Sequence, residues 1–126
     1  MNQTTADTET IYTAITGLLE KHGYTIRPYS QFLQRYPDAA FLPEKFPYGF
    51  MNVTSKVILI NDATPDGEQI FTLCHEIGHI VTGDNHDEDA ADRIAVWLCQ
   101  GIEALTGIVI DAEPMQGHCY THRNSV

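Results

Sequence analysis

From Thr8 to His22, apolar side chains return every three or four positions, at Ile11, Ala14, Ile15, Leu18 and Leu19. That spacing draws one stripe down a helix, with Asp7 or Thr8 as its cap and Gly23 as its stop. Residues 24–50 lose the rhythm and hold eight aromatics and four prolines. They predict an irregular layer with one short helix from about Ser30 to Tyr36. Aromatics mostly bury, so this layer is expected to pack on the core, with a wall for a substrate groove as the alternative role. Phe50–Val53 and Lys56–Ile60 are β-branched or aromatic runs joined by Thr54-Ser55, which predicts a hairpin.

Asn61-Asp62-Ala63 ends the second strand. Thr64 is then placed to cap a helix with Pro65 at its first position and Asp66 in its first turn. This helix is expected to reach about Thr82 and stop at Gly83. Ile70, Phe71, Leu73, Cys74, Ile77, Ile80 and Val81 are apolar nearly all round it, which predicts a central, buried helix. A short turn, Gly83–His86, leads to another helix from about Asp87 to Leu105, ended by Gly107. Ile108–Ile110 reads as a short strand and Asp111 onward as a tail. The pattern is that of an α+β chain, with helices packed on a short antiparallel sheet around the central helix. One domain is expected over residues 1–126, with 1–6 and about 112–126 as loose ends.

Charge narrows the function classes. Seven basic and seventeen acidic side chains give a formal net charge of −10, which repels phosphates and argues against nucleic acid as a direct partner. The longest apolar runs, Val57–Ile60 and Ile94–Cys99, fall far short of the roughly 20 residues that cross a bilayer. The polar N-terminus has no basic or apolar leader region. Three cysteines, Cys74, Cys99 and Cys119, are odd in number and show no disulfide spacing. These features together predict a cytoplasmic protein with no membrane role. Cys99 and Trp97 are expected in the core, and Cys74 as an inert buried thiol.

The chemistry sits in the central helix. His75-Glu76-Ile77-Gly78-His79 is the pattern H-E-x-x-H. Four-residue spacing places both imidazoles on one face, one above the other, where they can clamp a single zinc ion. Glu76 points beside that face and can take a proton from the attacking water. Gly78 in mid-helix costs about 1 kcal/mol relative to alanine, a cost that close approach of another backbone would explain. Zinc needs a third protein ligand. Glu88 is the stronger candidate and His86 the alternative, both just past the turn. Glu88 and Asp92 share a face of the next helix, and Ala91 and Ala95 keep that face thin. Asp92 is then placed to accept the second N–H of a ligand histidine. His118, Tyr120 and His122, near the C-terminus, are candidate donors to the transition state.

With these residues in view, Val57–Asn61, Phe71–Ile80 and Glu88–Ala95 resemble the ImmA/IrrE family of metallopeptidases, over about residues 50–100. The resemblance implies a small zincin-like domain of the gluzincin type. It implies zinc held by His75, His79 and Glu88, with Glu76 as base. It also implies a specific protein substrate, such as a helix-turn-helix repressor of a phage or mobile element. The Lys56–Ile60 strand is expected at a sheet edge, where it could bind that substrate by strand addition. Two other readings are kept. One is a non-catalytic zinc-binding regulator that grips a partner protein. The other is an RNA-processing metalloprotein like the YbeY family, with His86 as third ligand.

Overall fold

Val57–Ile60 is an unbroken apolar run, and such a strand needs cover on both faces. In the computed structural model, which describes residues 7–83 and 87–112, this strand is the centre of a three-stranded sheet. The elements are α1 (Thr8–Lys21), β1 (Thr25–Pro28), α2 (Tyr29–Arg35), a 3₁₀ turn (Pro37–Ala39), α3 (Leu42–Lys45), β2 (Gly49–Asn52), β3 (Val57–Ile60), α4 (Asp66–Thr82) and α5 (Glu88–Thr106). The α+β class holds, but the sheet is mixed, not purely antiparallel. β2 pairs antiparallel with β3, with Gly49 opposite Ile60. β1, which the sequence pattern did not predict, pairs parallel with it on the other side, Thr25 opposite Val57. The Lys56–Ile60 run is therefore not an edge strand, and the edges are β1 and β2. Lys56 itself lies in the turn, at φ 58°, and its carbonyl accepts the Thr25 N–H at 2.9 Å.

The two faces of β3 serve different layers. Ile58 and Ile60 pack with Ile26, with Leu19 of α1 and with Leu73 of α4. Leu59 packs the other way, with Tyr29, Leu42 and Phe46. The aromatic-rich stretch thus does form a layer on the core, although Tyr36 and Phe41 remain exposed. A third cluster joins Ile11 of α1, Ile70, Phe71 and Cys74 of α4, Ala95 and Cys99 of α5, and Ile110 and Ala112.

Local signals set the long helices. The Asp7 carboxylate accepts the Thr10 N–H at 2.9 Å, the N-cap expected for α1. Gly23, Gly83 and Gly107 all take positive φ at helix ends. Asp87 caps α5 through the Ala90 N–H at 2.9 Å. Thr64 does not cap α4. Pro65 takes that position, and the Thr64 hydroxyl donates instead to the Asn61 carbonyl at 2.6 Å.

Three further expectations change. Trp97 is 75% exposed, not in the core. The buried stripe of α5 is Glu88, Ala91, Ala95 and Cys99, and Trp97 falls on the opposite side of the turn. Ile108–Ile110 forms no strand. It is an extended segment that buries Ile110 and Ala112, so Ala112 is not part of a loose tail. This segment crosses the start of α4 so closely that a β-carbon on Gly67 would collide with the Asp111 carbonyl oxygen. The last turn of α4 is also less buried than expected, with Ile80 and Val81 exposed. The ends at 1–6 and 113–126 lie outside the described residues.

Candidate metal centre

α4 and α5 lie backbone to backbone. A β-carbon on Gly78 would sit 2.7 Å from both the Cα and the carbonyl oxygen of Ala91. This is the close approach that a mid-helix glycine predicts, and Ala91 and Ala95 are the thin face that meets it. The contact sets the two helices so that one face of α4 looks directly onto the first turn of α5.

His75 and His79 are one turn apart on that face and almost wholly buried. Their rings stand nearly perpendicular, at 85°, with centroids 4.7 Å apart, and their Nε2 atoms are 3.1 Å apart. Glu88 opens α5 and spans both rings. Its Oε1 is 2.8 Å from His75 Nε2 and its Oε2 is 3.2 Å from His79 Nε2. One turn further along α5, Asp92 Oδ1 lies 2.8 Å from His75 Nδ1. Glu76, next to His75, is fully buried.

The donor chemistry of this group fits a metal ion. When Nδ1–H of His75 donates to Asp92, Nε2 of the same ring presents its lone pair inward. That lone pair then faces the Glu88 carboxylate and His79 Nε2, and a cation among them relieves the repulsion. Ligands about 2.0–2.1 Å from a zinc ion in tetrahedral coordination lie about 3.3 Å from one another. The observed separations, 2.8, 3.1 and 3.2 Å, lie at or somewhat below that value. Among the described residues, His75, His79 and Glu88 are the group of three whose ligand atoms lie within 4.8 Å of one another. Each is buried, and burying two imidazoles and a carboxylate together is costly without such pairing.

The thiol next to His75 is quiet. A hydrogen bond with Cys99, and then burial, push the Cys74 thiol well above its ordinary range. Cys74 thus stays protonated beside His75 and packs as a small apolar group. Of the candidate residues, the structure brings together His75, His79, Glu88 and Asp92, with Glu76 alongside. His86, His118, Tyr120 and His122 lie outside the described residues. One residue near the site was missed by the sequence reading, Gly49 of β2. A β-carbon there would be 2.6 Å from the Leu59 carbonyl oxygen and 2.9 Å from Cγ2 of Thr72. The β2 edge therefore rests on α4 about one turn before His75. Only the glycine in Tyr48-Gly49-Phe50, at the start of the strand, could have signalled it.

Comparison with curated proteins and with solved structures finds no match. A family model does match: the IrrE N-terminal-like domain of peptidase family M78 aligns with residues 19–97, which include the whole sheet, α4, and Glu88 and Asp92 of α5. On that match, which covers more than half of the chain, this protein belongs to the M78 peptidase family of IrrE N-terminal-like domains.

Proposed function

We propose that the chain is a zinc-dependent endopeptidase acting on a specific protein. The observation that carries this reading is the convergence of His75, His79 and Glu88, with Glu76 on the same helix turn. A zinc ion held by those three residues would act as a Lewis acid toward the scissile carbonyl and the attacking water. Glu76 is the base. It takes the proton of the water as the carbonyl is attacked and returns it to the leaving amine. Asp92 holds the His75 ring by its Nδ1–H, fixing both tautomer and direction. His86 stays the alternative third ligand, and Tyr120, His118 and His122 stay candidate donors to the developing oxyanion.

The substrate is read as an extended polypeptide laid along a sheet edge, and β2 is the edge to choose, because Gly49 sets it against α4. A helix-turn-helix repressor in the cytoplasm remains the substrate of choice. No helix is long and apolar enough to cross a membrane among the described residues. The test is incubation of a repressor encoded beside this gene with wild type and Glu76→Gln. A discrete cut by wild type, reduced about 10²-fold or more in the variant, is the expected result. A partner bound but left intact by wild type would replace the peptidase reading with the regulator. Equal cutting by both proteins would remove Glu76 from the role of base.

A further inference from the structure

The charge of this chain is unevenly distributed. Residues 21–57 carry Lys21, Arg27, Arg35, Lys45 and Lys56, five of its seven basic side chains, but only Asp38 and Glu44 among its seventeen acidic ones. The fold gathers part of this surplus. Ile26 is buried toward α1 and α4, so its strand neighbours Thr25 and Arg27 face the opposite side of the sheet. There they meet α2, and the two elements enclose an open groove of about 600 Å³. Arg27 and Arg35 line it, together with Gln31, Gln34, Phe32 and Tyr36. The groove thus lies on the outer face of the sheet, away from the helix that carries His75 and His79.

Its lining is of mixed chemistry. The Phe32 and Tyr36 rings lie 4.8 Å apart, centroid to centroid, and the Arg35 guanidinium stands 5.9 Å from the centre of the Tyr36 ring. The Arg27 guanidinium donates to its own strand's Ile26 carbonyl at 2.9 Å, which steadies its direction. Among the described residues neither guanidinium is paired with a carboxylate. Both arginines and Tyr36 are exposed.

We propose that this groove binds a short acidic segment of a partner protein, with carboxylates on Arg27 and Arg35 and an apolar side chain against Phe32 and Tyr36. Planar guanidinium forks match carboxylates two bonds at a time. The Gln31 and Gln34 amides can both donate to and accept from peptide groups. A nucleic acid would present phosphates to the same arginines. However, a long polyanion would also meet the acidic surplus of a chain with a formal net charge of −10, whereas a short acidic segment need only fill the groove. The site works by binding alone and does not depend on the metal centre or on hydrolysis.

The test is fluorescence anisotropy with a labelled peptide alternating glutamate and leucine, compared with the same peptide carrying glutamine for glutamate. The peptide is checked for integrity afterwards, so cleavage and binding are read apart. Wild type should bind the glutamate peptide about tenfold or more tightly than the glutamine peptide, and Arg27→Gln/Arg35→Gln should lose that preference. Lys45→Gln, outside the groove, should keep it, and circular dichroism should show all three proteins folded alike. Equal affinity for the two peptides, or a preference that survives in the double variant, would overturn the proposal. So would tighter binding of a single-stranded oligonucleotide of equal charge. Self-association of the peptide-free protein that disappears in the double variant would overturn it too, assigning the groove to a second copy of the chain.

Discussion

The helical hairpin α4–α5 carries the candidate site, whereas the stretch from β1 to β2 flanks the central strand and covers its other face, and the two are specified in different ways. In the hairpin the site residues are paired at four-residue spacing along each helix, and one close helix contact, Gly78 on Ala91, brings the two pairs together. His75 and His79 form one such pair, and Glu88 and Asp92 another. Gly83 ends the first helix and Asp87 caps the second. In the other stretch the elements are three to seven residues long, and key residues are held by partners distant in the chain. Ser30, for example, is tied to Asp62 through both its amide and its hydroxyl, and Tyr29 donates to the Phe46 carbonyl at 2.9 Å. The first region carries buried polar chemistry on a rigid frame. The second presents exposed charge on a surface assembled from short pieces.

This contrast makes graded predictions. The largest effect should come from the contact between the hairpin helices. Gly78→Val puts side-chain atoms where Ala91 backbone already stands. It should destabilise the protein by about 3 kcal/mol and lower Tm by about 10 °C. Metal affinity should fall with it, because Glu88 and Asp92 move with α5. A calorimetric scan showing an unchanged Tm would mean that the helices do not need this contact.

Asp92→Asn is the next smaller step. The side chain keeps its shape but loses the charge that orients His75, so zinc should bind about 10–100-fold more weakly with the fold intact. Competition with a chelator measures this. Unaltered affinity would show that His75 needs no help from Asp92.

The smallest effect belongs to the other region. Partial burial pushes the Asp62 carboxyl up, but hydrogen bonds from the Ser30 hydroxyl and amide outweigh it and hold it below its ordinary range. A depressed carboxyl stabilises the fold above its unfolded value, near about pH 4. That contribution is lost as pH falls through the folded value. Asp62 is largely exposed, so after solvent screening the contribution should be under about 1 kcal/mol at neutral pH. In Asp62→Asn, stability measured by urea titration should fall slightly at pH 7 and match wild type at strongly acidic pH. A deficit that persists in acid would assign the role of Asp62 to shape, not charge.

The same contrast explains what could be read from the chain alone. α1, α4 and α5 were legible because their caps and stripes are local: Asp7, Gly23, Gly83, Asp87 and Gly107 each act within a turn. The grouping of His75, His79, Glu88 and Asp92 was legible for the same reason, once Gly78 and Ala91 implied that the helices touch. β1 was not. Thr25-Ile26-Arg27-Pro28 has too short an alternation to announce a strand, and it becomes one only by pairing with Val57–Ile60. That hidden strand also moved β3 from edge to centre. Trp97 was misplaced because its size suggested burial, whereas the phase of Ala91, Ala95 and Cys99 along α5 turns it outward. The mixed sheet and the exposed tryptophan are both long-range outcomes, settled by what packs where.

The account rests most heavily on His75, His79 and Glu88 holding one metal ion together. Elemental mass spectrometry of purified wild type and Glu88→Ala, each refilled with zinc and freed of excess, tests this directly. About one zinc per wild-type chain, sharply reduced in the variant, is the predicted result. Zinc retained equally by both proteins would contradict the assignment of Glu88 and pass its role to His86. Zinc held by neither would contradict the metal centre itself.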